Sequence, residues 1–465
     1  MYSAANCGYN TRMPASSAIS GSARERALHI LWRIEVQGAF ADRLLYAAAT
    51  QSGLSDRDQA LLQQLVKGTL QQRGALDATL ERRLKSGLAA LTPWIRNILR
   101  LGAYQVLFLD RTPPEVAVSE SVELAKRYGH KGTAGLVNAV LRRIAAEAPQ
   151  RPQAEAPQSA EEIAERHSHP LWLVRRWLAQ IGPEETIALC EADNTPWPLC
   201  LRANTLRVDA AQLRERLAAE GVLAEPARYA AACLIVRQLP AGTRLHELAS
   251  FRDGLFQVQD ESAALLAQLV APEPGEFVVD LCSAPGGKTT ALAALMENRG
   301  RILACDLHEN RLRLVRANCE RLGIAIAAYH SGDAREVALD EPADRVLLDA
   351  PCSGLGVLGR KSDVRWNKRE EDIARMAALQ AELIHQAAAL VRPGGTLVYS
   401  TCTLEPSENE RVVEEFLEFN PAFTLVSPPH GFPAELVSSQ GYYCAWPQRH
   451  SMAGAFGAVL QHDGR

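Results

Sequence analysis

Asp280-Leu281-Cys282-Ser283-Ala284-Pro285-Gly286-Gly287-Lys288-Thr289-Thr290 is the stretch on which the reading of this chain turns. The residues from Glu276 to Leu281 predict a strand, and those beyond Lys288 a helix, so a glycine-bearing turn joins the two. Such a turn brings a ligand against bare backbone N–H groups at a helix N-terminus. The rival is a phosphate-binding loop of the form G-x-x-x-x-G-K-[ST], because Gly287-Lys288-Thr289 ends that way. Cys282 stands where that loop needs its first glycine, and this turn does not read G-x-G-x-x-G either.

Further strands are expected at Arg301 to Asp306, Ala325 to His330, Arg345 to Asp349, Thr396 to Ser400, Phe423 to Val426 and Phe456 to Leu460, with helical stretches between most of them. Seven strands in this rhythm predict a doubly wound, largely parallel sheet: an α/β Rossmann-like domain over 258–465. Asp306 ends the second strand, where folds of this kind offer a carboxylate to both hydroxyls of a ribose. Asp333, after the third, is placed to reach an adenine edge. One such acid is usually a helix cap or a surface residue; Asp280, Asp306 and Asp333 at three successive strand ends point to a ligand site. The stretch Trp446 to Phe456 is longer than a simple strand turn and leaves the last strand pair open.

Upstream the period changes. From Ala23 to Ala146 apolar residues recur at helical spacing, as in Leu28, Leu31, Ile34 and in Ile95, Ile98, Leu99, Val106, which predicts an all-α bundle over 21–146. Breaks are expected at Gly53, Gly74, Thr92-Pro93 and Pro113-Pro114. Residues 147–159 are rich in Ala, Pro, Gln and Glu and read as a linker. Residues 160–257 mix helix-like stretches such as Ala211 to Glu220 with short apolar strands such as Leu234-Ile235-Val236, which gives a small α+β middle domain. His167-Ser168-His169-Pro170 has no third and fourth ligand nearby, so it reads as a loop before a helix and not as a metal site. The first 20 residues read as a disordered tail, with a transit peptide as the weaker alternative.

No apolar run approaches the roughly 18 residues of a membrane-spanning helix. Ten cysteines lie far apart without a C-x-x-C pair, so zinc and disulfide frameworks lose support and a reducing, cytoplasmic setting is expected. The net charge of −4 hides an asymmetry: residues 21 to 150 hold 18 Lys and Arg against 12 Asp and Glu. A basic module on an acidic body suits nucleic acid, although a solvated helical surface gives the same count.

Two cysteines follow adjacent strands. Asp349-Ala350-Pro351-Cys352-Ser353-Gly354 closes the fourth strand and Tyr399-Ser400-Thr401-Cys402-Thr403 the fifth, at the same rim as the glycine turn. A single cysteine is ordinarily a small buried hydrophobe. Two at neighbouring strand ends, one preceded by Asp-x-Pro, suit a reaction that needs a thiolate and an acid together. Methylation at C5 of cytosine is such a reaction, because C5 becomes nucleophilic only after a thiolate adds to C6. Arg360, Lys361, Arg365, Lys368 and Arg369 around Trp366 would offer phosphate contacts and a stacking surface, or form a solvated loop.

These motifs carry a resemblance. The run Cys282 to Lys288 is similar to the S-adenosylmethionine motif of cytosine-C5 RNA methyltransferases, and the paired Pro-Cys and Thr-Cys motifs resemble that class. Val118 to Lys126 with Val137 to Arg142 resembles the RNA-binding NusB-like domain, and Ser168-His169-Pro170 resembles the start of the middle domain in the bacterial 16S ribosomal RNA methyltransferase B family. The resemblance covers nearly the whole chain.

It implies a multidomain enzyme that uses S-adenosyl-L-methionine to methylate cytosine C5 in RNA, with 16S ribosomal RNA as substrate, acting as a cytoplasmic monomer without metal. It further implies Cys402 as the nucleophile, Cys352 as the residue that assists product release, and Asp349 in contact with cytosine and cofactor. The cofactor would lie against Cys282, Ser283, Ala284, Pro285, Gly286, Gly287, Lys288, Asp306, Asp333 and Asp349. Exchanged roles for Cys352 and Cys402, another RNA such as tRNA, and an RNA-binding assembly factor without methyl transfer stay open at this stage. The target base would have to be unpaired or flipped out.

Overall fold

The computed structural model describes residues 21–50, 53–147, 159–240 and 242–464. The expected tail, and all but the two end residues of the expected linker, lie outside them. The chain divides into two compact units, Met1–Ala156 and Pro157–Arg465.

Among its described residues the first unit is helical: Ala23–Gln37, Ala41–Thr50, Asp56–Gln71, Arg73–Glu81, Pro93–Phe108, Pro114–Tyr128 and Lys131–Glu147. Local chemistry sets the ends. Ser22, Ser55 and Thr92 each accept from the backbone N–H three residues on, satisfying a donor the helix leaves open. Pro93 and Pro114 stand in first turns, where a missing N–H does no harm. The break expected at Gly74 falls at Gln72, and Gly74 lies in the first turn of the next helix. Leu28, Ile30, Ile34, Leu65, Ile98, Leu99, Val137 and Leu141 are at most 1% exposed and form the core. Arg96 and Arg100 pair with Glu35 at 2.8 and 3.2 Å, and Arg100 with Asp77 at 2.6 Å, so these charges neutralise one another inside the unit.

The second unit opens with the helices Ala160–Arg166 and Leu171–Asn194, the latter interrupted at Gly182 (φ 77°) just before Pro183. A four-stranded antiparallel sheet follows, built from β1 (Leu199–Ala203), β2 (Leu223–Pro226), β3 (Cys233–Gln238) and β4 (Phe256–Val258) in the order β2-β3-β1-β4. The helix Ala210–Ala219 buries Leu213 and Leu217 in the core that this sheet forms.

The large sheet contains β5 (Phe277–Leu281), β6 (Arg301–Asp306), β7 (Ala327–Ser331), β8 (Ala343–Asp349), β9 (Val391–Thr401), β10 (Phe423–Val426), β11 (Tyr443–Ala445) and β12 (Ala455–His462). The order is β10-β12-β9-β8-β5-β6-β7, with β11 pairing β12 off this path. Strands β5 to β9 pair in parallel, whereas β10, β11 and β12 are antiparallel. The seven strands of the path are those read from the sequence. The unexpected β11 is three residues long and resolves the ambiguity near the end of the chain.

Alternation along the central strands sends successive side chains to opposite faces, each covered by helices. Val279, Val346, Leu348 and Tyr399 pack with Leu383, Ile384, Val413 and Phe416. Val278, Ile302, Leu347 and Val398 pack with Leu265, Leu269, Leu292 and Met296. With both faces covered, the rim at the carboxyl ends of the parallel strands is left for a ligand. No helix among the described residues is long and apolar enough to cross a membrane.

Candidate active site

Strand β5 ends at Leu281, and the chain turns sharply. Cys282 takes a left-handed conformation (φ 62°), a strain of roughly 1–2 kcal/mol for a residue with a Cβ. The turn is held by the N–H of Ser283, which donates to the carbonyl of Cys305 at 2.7 Å. Gly286 (φ 97°) precedes the helix Gly287–Leu295. A side chain there would meet Cα of Val315 at 3.0 Å, so conformation and space both require glycine. Arg202, almost fully buried on β1, donates to Thr290 Oγ1 at 2.9 Å and ties this helix to the small sheet.

Around this turn several polar groups are buried. Asp280 accepts from Thr289 Oγ1 at 2.6 Å, and burial pushes its carboxyl up to about 7. Asp280 Oδ1 and Ser283 Oγ are buried without a hydrogen-bond partner among the described residues. Asp306, 3% exposed at the end of β6, accepts from the N–H groups of Ala284 at 3.3 Å and His308 at 3.1 Å and lies 3.3 Å from Arg311. Unpartnered oxygens beside the turn and a carboxylate are acceptors that the hydroxyl and amino groups of a nucleoside would satisfy by donating.

Asp333 follows β7 as expected, but its carboxylate is bound by Arg335 at 2.6 Å. That guanidinium holds its pKa down at about 2. A ligand reaching Asp333 must share it with Arg335.

Strands β8 and β9 are neighbours, with Asp349 opposite Ser400, so the residues after them converge. The Sγ atoms of Cys352 and Cys402 lie 3.3 Å apart. A hydrogen bond from the Cys352 thiol holds the pKa of Cys402 below that of an ordinary thiol; burial and Asp349 oppose this, whereas Lys361 and Lys288 assist it. The same hydrogen bond, together with burial, raises Cys352.

Asp349 accepts from Ser400 Oγ at 3.0 Å and pairs with Lys288 Nζ at 2.6 Å. Burial works against the Lys288 ammonium, but Asp349 outweighs it and the pKa is raised. Lys288 therefore joins the glycine turn to the cysteine pair.

Thus the structure gathers Lys288, Asp349, Cys352 and Cys402 into one cluster, with Asp280, Asp306 and the turn 282–287 along the same rim. The basic segment after Cys352 needs correction. Arg365 is fully buried and donates to the carbonyl of Ser168 at 3.1 Å, to Asn194 Oδ1 at 3.0 Å and to the carbonyl of Asp193 at 3.3 Å. It cannot offer a phosphate contact, because the side chain is wholly buried and both terminal amino groups are turned to the middle segment. Arg360 pairs with Asp260 at 2.6 Å, while Lys361 and Arg369 are exposed. Ser400 and Arg202 were not legible as site residues, since only pairing across strands and helices brings them there. Among the described residues no three His, Cys, Asp or Glu side chains are grouped to hold a metal.

Three family models match the chain: the NusB family over residues 21–146, the ferredoxin-like domain of RsmF/B-like methyltransferases over 169–241, and 16S rRNA methyltransferase RsmB/F over 267–461. A probable ribosomal RNA small subunit methyltransferase B of Bacillus subtilis is 39% identical over 407 residues, covering 86% of this chain and 89% of its own. The solved protein PH0851 superposes with a TM-score of 0.78 at 28% identity, over 96% of this chain and all of its own. NSun6 from Pyrococcus horikoshii, solved with SFG, an analogue of S-adenosylmethionine, gives a TM-score of 0.57 at 25% identity over 63% of this chain and 97% of its own. A NusB-like bundle, a ferredoxin-like middle domain and a Rossmann-like sheet with two cysteines at its rim occur here in one chain, which belongs to the ribosomal RNA small subunit methyltransferase B family.

Proposed function

We propose that this protein methylates C5 of a cytosine in 16S ribosomal RNA through a covalent adduct between Cys402 and C6 of the base. The observation that carries this reading is the Cys352–Cys402 pair at 3.3 Å beside the Lys288–Asp349 ion pair. S-adenosyl-L-methionine, held against Cys282, Ser283, Ala284, Pro285, Gly286, Gly287, Lys288, Asp306, Asp333 and Asp349, supplies an electrophilic methyl group when bound. Asp280 Oδ1 and Ser283 Oγ, buried without a partner among the described residues, suit such a ligand.

Cys402 takes the role of nucleophile because its Thr-Cys motif resembles that of the attacking cysteine in cytosine-C5 RNA methyltransferases, and a pKa held down by the neighbouring thiol suits that role. Its addition to C6 makes C5 enamine-like and able to accept the methyl group. Asp349 hydrogen-bonds the cytosine edge and, through Lys288, keeps its own geometry fixed. After transfer the C5 proton passes to a base, the C6–S bond breaks and its electron pair returns to Cys402. Cys352, whose thiol stays protonated, hydrogen-bonds the departing sulfur and assists that step.

The NusB-like unit, with its basic excess, would hold the RNA while the rim of the large sheet receives the unpaired base. Bisulfite sequencing of small-subunit RNA from cells with and without the protein tests the product: one cytosine should lose protection when the protein is absent. RNA carrying 5-fluorocytosine tests the adduct, because fluorine at C5 cannot leave as a proton does. A trapped protein–RNA species is expected, and its absence would remove the covalent route.

A further inference from the structure

Glu408 lies just before the helix Glu410–Phe419 and is fully buried. Its Oε2 accepts from the backbone N–H of Ser353 at 2.8 Å and from Gln380 Nε2 at 3.0 Å. Its Oε1 accepts from the Thr403 hydroxyl at 3.5 Å. Ser353 directly follows Cys352, and Thr403 directly follows Cys402. The hydroxyls of these two residues also meet, at 2.7 Å.

Gln380, from the helix Glu370–Ala389, donates to the carbonyl of Pro351 at 2.8 Å and so grips the Cys352 loop on its other side. Tyr399 Oη donates to the carbonyl of Glu408 at 2.5 Å and fixes the backbone that carries the carboxylate. One buried side chain is therefore hydrogen-bonded to the neighbours of both cysteines.

We infer that Glu408 is a positioning residue: it sets the spacing of Cys352 and Cys402 by holding the residue after each on a single carboxylate. This rests on the covalent reading above. None of the contacts requires a negative charge. Ser353 and Gln380 donate to the same oxygen, and the Thr403 hydroxyl can accept from an amide and donate to Ser353 Oγ instead. Glutamine at position 408 can thus keep every contact, whereas alanine strands two buried donors.

The loops differ in how they are otherwise held. Cys402 directly follows the last residue of β9, but Cys352 lies three residues beyond the end of β8. Loss of Glu408 then displaces Cys352 more than Cys402, and it is adduct breakdown that suffers, not addition. Glu408→Ala should form the adduct, transfer methyl and release product at least tenfold more slowly. A denaturation-resistant protein–RNA species should accumulate, with cofactor affinity and kcat/KM for RNA unchanged while kcat and KM fall together.

Glu408→Gln should release product within threefold of wild type. Thr403→Val, which keeps the side-chain shape and removes one strut, should accumulate an intermediate amount of adduct and add nothing to Glu408→Ala. A general loss of fold would instead lower adduct formation and cofactor affinity together. Stalling of Glu408→Gln to the level of Glu408→Ala, or release by Glu408→Ala at the wild-type rate, overturns the inference. If Glu408→Ala does not fold, wild-type release by Thr403→Val overturns it. The covalent reading is judged separately with 5-fluorocytosine RNA on the wild type: no trapped species there removes both, whereas trapping without a stall in the variants removes the role of Glu408 alone.

Discussion

The Sγ atom of Cys402 lies 3.3 Å from that of Cys352, a residue 50 positions earlier in the chain, because β8 and β9 run side by side and end together. Closeness does not say which sulfur attacks; the timing of each step does. Cys402→Ala should abolish turnover and every covalent species. Cys352→Ala should still add and transfer methyl, then stall with methylated RNA attached to Cys402 through denaturing electrophoresis. The reverse pattern would exchange the two roles, and no adduct in either variant or with fluorinated RNA would end the covalent account.

The same contact sets a pH dependence. The Cys352 thiol favours the charged form of Cys402 and lowers its pKa, so the thiolate persists to lower pH than in an ordinary cysteine. Cys352→Ala removes that hydrogen bond, and the acid limb of the adduct-formation rate should move to higher pH. Single-turnover trapping across pH 5 to 9 reads this directly, and superimposable profiles would contradict it.

Asp306 is nearly buried and already accepts from two backbone N–H groups, so its carboxylate is preorganised for a ribose. Asp306→Ala should weaken S-adenosylmethionine binding more than tenfold, a loss on the order of 1.5–3 kcal/mol for hydrogen bonds to a charged acceptor. Calorimetry on the folded variant checks it, and unchanged affinity would remove Asp306 from the site.

Because the chain divides at Ala156, the fragment Pro157–Arg465 should fold and bind the cofactor as the full chain does. It should bind ribosomal RNA more weakly and with a shallower dependence on salt, since fewer phosphates are neutralised. Equal affinity at matched salt would give the helical unit another task.

Sequence periodicity located the helical unit and the central strands because the two hydrophobic repeats, near 3.6 and near 2, differ so plainly. The rim was legible because in a parallel sheet residues after consecutive strands share one edge, which groups Cys282, Asp306, Asp349, Cys352 and Cys402 on sequence alone. What stayed hidden depends on contacts between distant segments. Lys288 read as part of a cofactor turn, yet its ammonium reaches across to Asp349. Arg365 read as a surface charge because nothing in Val364-Arg365-Trp366 signals that Ser168, Asp193 and Asn194 wait for it. β11 escaped because three residues cannot display a period. β1, β2 and β4 were likewise too short and too mixed to stand out in the middle domain.

The buried guanidinium of Arg365 bears on where this protein can be severed. Family descriptions suggest three separable pieces, but a fragment starting after the ferredoxin-like match would leave Arg365 without Ser168, Asp193 and Asn194. It would also open the apolar cluster in which Leu173, Val174 and Trp177 pack with Leu355, Leu358 and Leu404, from the loops that carry the two cysteines. Each of those apolar side chains newly exposed to water costs roughly 1.5–3 kcal/mol, so losing several together is a large share of an ordinary domain's stability. The middle segment thus serves as a wall of the cysteine loops, and a fragment that begins beyond it should lose stability and activity together.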